Sequence, residues 1–209
     1  MNVILLHGWP LSEQMWEPQA TALRNAGIEP LVPRLYGRGP SIDGWAAQLL
    51  RDYDDQLVAV GASMGGYCAL ALARRAPELV VGMALVASRA TADSFDRRRE
   101  RDSMIALLRE KGVPHDLETD EPAELLAVAQ EAMRDRMDLS GVAASFGGPL
   151  LVCVGDQDGA VSIEESRELA ESALRGTLEV FPGAGHFPSL EQPERFNEML
   201  LEFVSQWQT

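Results

Sequence analysis

Three side chains far apart in the chain have the types needed to make an alcohol attack a carbonyl: Ser63, Asp158 and His186. A serine hydroxyl is a poor nucleophile until a base takes its proton and an acid orients that base. Ser63 lies in Leu57-Val-Ala-Val-Gly-Ala-Ser-Met-Gly-Gly-Tyr-Cys-Ala-Leu-Ala-Leu-Ala. There an apolar, strand-like run passes through Gly61-Ala-Ser-Met-Gly65 straight into an alanine-rich helical pattern. A serine on so sharp a turn takes up a strained backbone, and small residues two places to either side avoid clashes. Gly61 and Gly65 supply that room. The turn lifts the hydroxyl clear of the sheet and sets the next N–H groups at the positive end of a helix, where developing negative charge is stabilised. The bare Gly-x-Ser-x-Gly string is weak in a chain with 18 glycines; the strand before it and the helix after it make it informative. The bland alternative is a serine capping a helix beside a tight turn.

A serine of this kind takes its acid and base from loops after later strands, acid first. After the apolar run Leu150–Val154 comes Gly155-Asp156-Gln-Asp158-Gly, and after Leu178–Phe181 comes Pro182-Gly-Ala-Gly-His186-Phe-Pro. His186, in a glycine-rich loop, is poorly suited to a purely packing role. His115 follows Pro114 and reads as a solvated loop residue, while His7 abuts Gly8 and fits the shaping of an anion pocket better than service as a base. Asp156 and Asp158 compete for the acid role. Asp158 is favoured because it stands farther from the strand end, leaving Asp156 to bond the backbone of the turn. Near the start, Val3–Leu6 ends in His7-Gly8-Trp9-Pro10. The N–H groups of Trp9 and Met64 would form a two-donor oxyanion hole, each donor worth about 3 kcal/mol in the transition state. Trp9, Met64 and Phe187 are the candidates for contact with substrate; Trp9 merely plugging the domain edge is the alternative.

These residues need a scaffold that delivers loops to one edge. Six short apolar runs, Val3–Leu6, Ile28–Val32, Leu57–Val60, Val81–Val86, Leu150–Val154 and Leu178–Phe181, read as strands buried on both faces. They alternate with helical patterns near Met15–Asn25, Ile42–Arg51, Met64–Arg75, Ile163–Ala173 and Pro193–Gln206, the last opening on a first-turn proline. The expectation is a doubly wound α/β domain with a mostly parallel sheet of about six strands and right-handed crossovers, binding ligands at the strands' carboxyl ends. Residues 88–146 hold no strand-like run, only helical patterns near Arg97–Lys111 and Glu121–Met137. They are expected to form a short helical cap within one domain spanning residues 1–209.

Composition excludes several classes. Hydrophobic residues at 46% and charged residues at 24% belong to a globular chain. A net charge of −14 argues against nucleic acid or an anionic membrane surface as partner. No apolar run approaches the roughly 18 to 20 residues of a transmembrane helix, and the start lacks a basic leader, so a cytoplasmic protein is expected. Cys68 and Cys153 lie in apolar runs and read as buried free thiols. No Cys/His cluster has metal-ligand spacing, so neither a metal nor a cofactor is expected.

Together, His7-Gly-Trp-Pro-Leu-Ser with Met15-Trp16, Gly61-Ala-Ser-Met-Gly-Gly, Gly155-Asp-Gln-Asp and Gly183-Ala-Gly-His-Phe-Pro-Ser-Leu-Glu-Gln-Pro-Glu-Arg-Phe resemble the α/β-hydrolases, specifically the small esterase and enol-lactonase type. The resemblance spans nearly the whole chain. It implies a serine hydrolase that cleaves a carboxylic ester, or a lactone or thioester, through an acyl-enzyme. Ser63 would be nucleophile, His186 base and Asp158 acid, with Trp9 and Met64 as backbone donors. A carbon–carbon bond hydrolase with the same triad and a slow or non-catalytic ligand sensor are the alternatives. Three departures stand out. The family's leading hairpin is not evident, Pro33-Arg34 stands where relatives often read Pro-Asp, and the cap is short. Arg89, Arg97, Arg98, Arg99 and Arg101 could grip an anionic substrate tail or a carrier-protein phosphate, as cap arginines do in the similar pimeloyl carrier-protein methyl esterases. Interleaved Asp93, Asp96, Glu100 and Asp102 favour a solvated, salt-bridged face instead.

Overall fold

Five apolar runs, four of them buried almost throughout, form one parallel sheet in the computed structural model, which describes residues 1–207. The strands are β1 (Asn2–Leu6), β2 (Leu57–Ala62), β3 (Val80–Val86), β4 (Leu150–Gly155) and β5 (Gly176–Phe181), hydrogen-bonded in that order. Side chains along a strand point alternately to opposite faces. Accordingly Ile4, Leu6, Ala59, Met83, Leu85 and Val152 enter one core, while Val3, Leu5, Val58, Val60, Ala84 and Cys153 enter the other. The first core is covered by α2 (Ile42–Asp52), α3 (Met64–Arg75) and α7 (Ile163–Ser172); the second by α1 (Glu17–Asn25) and α9 (Pro193–Ser205). This is the expected doubly wound arrangement.

The expected sixth strand, Ile28–Val32, is reduced to one bridge. Leu31 exchanges backbone hydrogen bonds with β1 at Val3 O and Leu5 N, both 2.8 Å. Pro33, two residues beyond Leu31, has no N–H to donate to Leu5 O, so the ladder stops there. The sheet has five strands. β5 differs from the others in being half-exposed, as the edge strand.

Between β3 and β4 the chain forms α4 (Phe95–Lys111), α5 (Ala123–Arg134) and the short α6 (Ser140–Ser145). Ser94 opens α4 as an N-cap, its hydroxyl accepting the Arg97 N–H. Helices α4 and α5 pack on each other. Three polar ties bind this segment to the sheet's carboxyl edge. Trp9 Nε1 donates to Leu126 O (3.3 Å), Thr119 Oγ1 donates to Pro10 O (2.8 Å), and Arg34 grips Glu121 with both carboxylate oxygens engaged. The arginine that departs from the family pattern thus finds its carboxylate in the helical segment.

Candidate active site

Ser63 terminates β2 with φ 48° and ψ −108°, a region that L-residues avoid, and α3 starts at the next residue. The turn is held by Ser63 N–H donating to Val86 O (2.7 Å) and by Ser63 O accepting from Gly66 N (3.0 Å) and Ser88 Oγ (2.9 Å). A Cβ on Gly61 would collide with the Gly65 carbonyl, and one on Gly65 with the Leu6 carbonyl, so both positions require glycine. Strain of this kind costs about 1–3 kcal/mol and persists only where the surroundings over-determine it.

The loop after β4 carries Asp158, whose side chain is fully shielded from solvent. Its Oδ1 accepts the N–H groups of Ala160 (2.7 Å) and Val161 (3.1 Å). The His186 ring meets the same carboxylate, with Nδ1 at 2.9 Å from Oδ2 and 3.0 Å from Oδ1, while its Nε2 lies 3.0 Å from Ser63 Oγ. Burial raises the Asp158 carboxyl's proton affinity, but the His186 hydrogen bond and charge and the two backbone donors outweigh it, leaving it below the usual carboxylate range. With Nδ1–H donated to Asp158, Nε2 is left as the acceptor for the serine hydroxyl. The arrangement can take a proton from Ser63 and hold the resulting imidazolium beside a carboxylate.

The neighbouring acid, Asp156, is turned elsewhere: its Oδ1 accepts the Gly183 N–H at 2.7 Å, bracing one loop against the other. Glu191 closes the short helix α8 (Pro188–Glu191). Its carboxylate accepts the N–H of Gly185 (2.6 Å) and of Phe187 (2.9 Å), the residues on either side of His186. Sequence reading missed it because α8 has four residues, too few to show a helical period. The sign available was a glutamate one turn after a Pro188 that can open a helix.

His7 is wholly buried and outside the cleft. Its Nδ1 donates to Gly8 O (3.2 Å) and its Nε2 accepts the Leu35 N–H (3.0 Å), tying the end of β1 to the following loop. Burial pushes its pKa down to about 4. The unfolded chain therefore binds a proton between about pH 6.5 and 4 that the folded one refuses, and stability falls as pH drops through that window. Urea titrations at pH 7 and 4.5 should show the native protein losing about 2 to 3 kcal/mol more than His7→Gln. Parallel losses in the two proteins would refute this role. His115 is an exposed turn residue.

A cleft of about 400 Å³ opens over Ser63 and His186. Trp9 and Phe187 line it, but the Met64 side chain does not: it is fully buried in the core beneath α3. The expected Met64 contact with substrate therefore reduces to its backbone. Among the described residues, neither the Trp9 nor the Met64 N–H donates to a protein acceptor. Three of the five arginines, Arg89, Arg97 and Arg101, border the cleft; Arg98 and Arg99 do not. Arg89 is paired with Glu165 (2.8 Å) and Arg101 with Asp93. Among the described residues, the Arg97 guanidinium has only the Ala160 carbonyl, at 3.1 Å. Cys68 and Cys153 are buried free thiols. No metal-holding group of His, Cys, Asp and Glu occurs among the described residues, and none of their helices is long and apolar enough to cross a membrane.

Comparison with known proteins extends these observations. A pimeloyl-[acyl-carrier protein] methyl ester esterase of Pectobacterium carotovorum is 26% identical over 97% of this chain and 94% of its own. One from Aromatoleum aromaticum is 38% identical over 41% of this chain and 36% of its own. Among solved structures, a thermophilic esterase from Thermogutta terrifontis superposes with a TM-score of 0.89 at 28% identity, covering 99% of this chain and 90% of the other. The Burkholderia xenovorans enol-lactonase shares the fold, with a TM-score of 0.82 at 22% identity over 97% and 90% of the two chains. A family model described as the alpha/beta hydrolase family matches residues 3–199, and the chain belongs to that family.

Proposed function

We propose that this protein hydrolyses a carboxylic ester through an acyl-enzyme on Ser63. The observation that carries the reading is the unbroken hydrogen-bond chain from Ser63 Oγ through both nitrogens of His186 to the shielded carboxylate of Asp158. Relatives named as esterases at 26% and 28% identity over nearly the full chain support it.

In the proposed mechanism Ser63 Oγ attacks the ester carbon while its proton passes to His186 Nε2. The oxyanion is held by the Trp9 and Met64 N–H groups, the latter at the first turn of α3, where the helix dipole adds to the stabilisation. As the intermediate collapses, the proton moves from Nε2 to the departing alcohol. Water, deprotonated by the same nitrogen, then attacks the acyl-enzyme; the tetrahedral adduct expels Ser63 Oγ, which regains the proton, and the acid leaves. The segment 88–146 acts as the cap that walls the cleft. The test is labelling by a fluorophosphonate together with p-nitrophenyl acetate turnover. Labelling abolished in Ser63→Ala, with multiple turnovers in the native protein, is expected. Labelling with negligible turnover on any ester would favour a ligand sensor and overturn the enzyme reading.

A second reading concerns the far end of the substrate. Arg97 borders the cleft with no carboxylate partner among the described residues, and relatives are named for a methyl ester carried on an acyl-carrier protein. We take the ester to bear an anionic or carrier-linked distal group that Arg97 meets. Arg97→Ala should raise KM for a methyl ester with a distal carboxylate on the order of tenfold, as for a lost charge-assisted hydrogen bond. The neutral methyl ester of equal length should be unaffected; equal effects on both would rule this out.

A further inference from the structure

A second cavity of about 110 Å³ lies behind the cleft, between the start of α2, helix α3 and residues 132–139. Its walls are mainly apolar, Ile42, Leu70, Met137 and Leu139 among them. Among the described residues, only Tyr67 and Arg89 border both spaces. Tyr67 stands one helical turn after Ser63, on the same face of α3. Its side chain is 4% exposed, and the guanidinium of Arg136 stacks on the ring with Cζ 4.0 Å from the centroid. Arg136 lines the rear cavity and not the cleft. It is held by Asp93 (2.7 Å) and donates to the carbonyls of Met133 (2.8 Å) and Thr91 (2.9 Å). Tyr67 is thus a partition clamped from behind by a fixed cation, since a cation over an aromatic face is attractive and more so when desolvated.

Building on the esterase reading, we infer that Tyr67 sets the longest acyl chain the site accepts, and that the rear cavity is the space a medium-length aliphatic chain would fill were the ring absent. The acyl group stays on Ser63 while the alcohol departs with a proton from His186. No residue of the 182–187 loop lines the rear cavity, so the wall one turn from Ser63 faces the acyl side. The ring shares this wall with Arg89, which Glu165 and the Ala160 carbonyl hold in place, so truncating the ring is the change that joins the two spaces.

The test compares p-nitrophenyl acetate through decanoate on the native protein, Tyr67→Ala and Tyr67→Phe. Each methylene newly buried is worth about a fourfold gain in kcat/KM. With about two of octanoate's additional methylenes entering the rear cavity, the octanoate-to-butyrate ratio should rise on the order of tenfold in Tyr67→Ala, and Tyr67→Phe should keep the native ratio. Tyr67→Leu, which clears the outer ring and keeps a good helix former, substitutes should the alanine variant not fold. Calorimetric titration with free butyrate and octanoate reads the same wall without turnover, so a failure of ester hydrolysis and a failure of the partition are told apart. A uniform loss across all chain lengths, with unchanged ratios and unchanged octanoate binding, would overturn the inference.

Discussion

On the proposed mechanism, Ser63→Ala should lower kcat about a millionfold, equivalent to roughly 8 kcal/mol of transition-state stabilisation, with KM little changed. In the proposed mechanism alanine would remove the oxygen that forms the acyl bond and leave His186 nothing to deprotonate but water. The fold has no reason to fail. The Ser63 hydroxyl caps no N–H group of α3, and the bonds that hold the turn run through the backbone N–H and carbonyl of residue 63, which alanine retains. The positive φ is equally unfavourable for alanine and serine, so the thermal midpoint should move by no more than a few degrees. Residual hydrolysis of about a thousandfold over water, from the backbone donors and from binding, remains in such variants. A variant keeping more than one per cent of native kcat, with material verified free of native enzyme, would show that Ser63 is not the nucleophile.

Asp158→Asn lowers kcat about ten-thousandfold through a change of tautomer. Asp158 Oδ1 accepts two backbone N–H groups, from Ala160 and Val161. An asparagine must keep its carbonyl oxygen toward those donors, which turns its amide NH2 toward His186 Nδ1. Two donors cannot face each other, so the imidazole places its proton on Nε2 instead. There it points at Ser63 Oγ, and the nitrogen that should accept the serine proton is already occupied. The variant should bind substrate nearly normally, fold, and still label slowly with fluorophosphonate. Activity within tenfold of native would mean that another carboxylate orients the ring. Asp156 is the nearest alternative in sequence, and its bond to Gly183 N makes that outcome the one to look for with an Asp156→Asn control.

The chemistry-bearing residues were readable because each is announced by local punctuation. Ser63 sits between a buried run and an alanine-rich helix, with Gly61 and Gly65 at the spacing a sharp turn demands. Asp158 and His186 each follow an apolar run by a few residues, and in a parallel sheet all such loops emerge at one edge. Leu31 was misread for a related reason: an apolar, β-branched run looks the same whether or not its neighbours can donate to a ladder. Pro33, in register with the Leu5 carbonyl, decides that at the level of pairing. Glu191 escaped because its role lies in gripping the backbone on both sides of His186, a relation with no periodic trace.

The five arginines show the division most clearly. Their number and interleaving with acids were visible in the chain, yet which ones border the cleft depends on where α4 docks. Arg89 and Arg101 bring carboxylate partners with them, whereas Arg97 meets only a carbonyl. Met64 was read as a wall of the site and instead fills the core, because the first turn of α3 turns that side chain inward while leaving its N–H at the helix end. Residue types, strand ends and tight turns are short-range properties, so the order of the five strands' loops and the three candidate catalytic groups followed from the chain alone. The Tyr67 partition, the Arg34–Glu121 tie and the Arg97–Ala160 contact join segments tens of residues apart; packing of the helical segment on the sheet decided them, and no local pattern encodes those contacts.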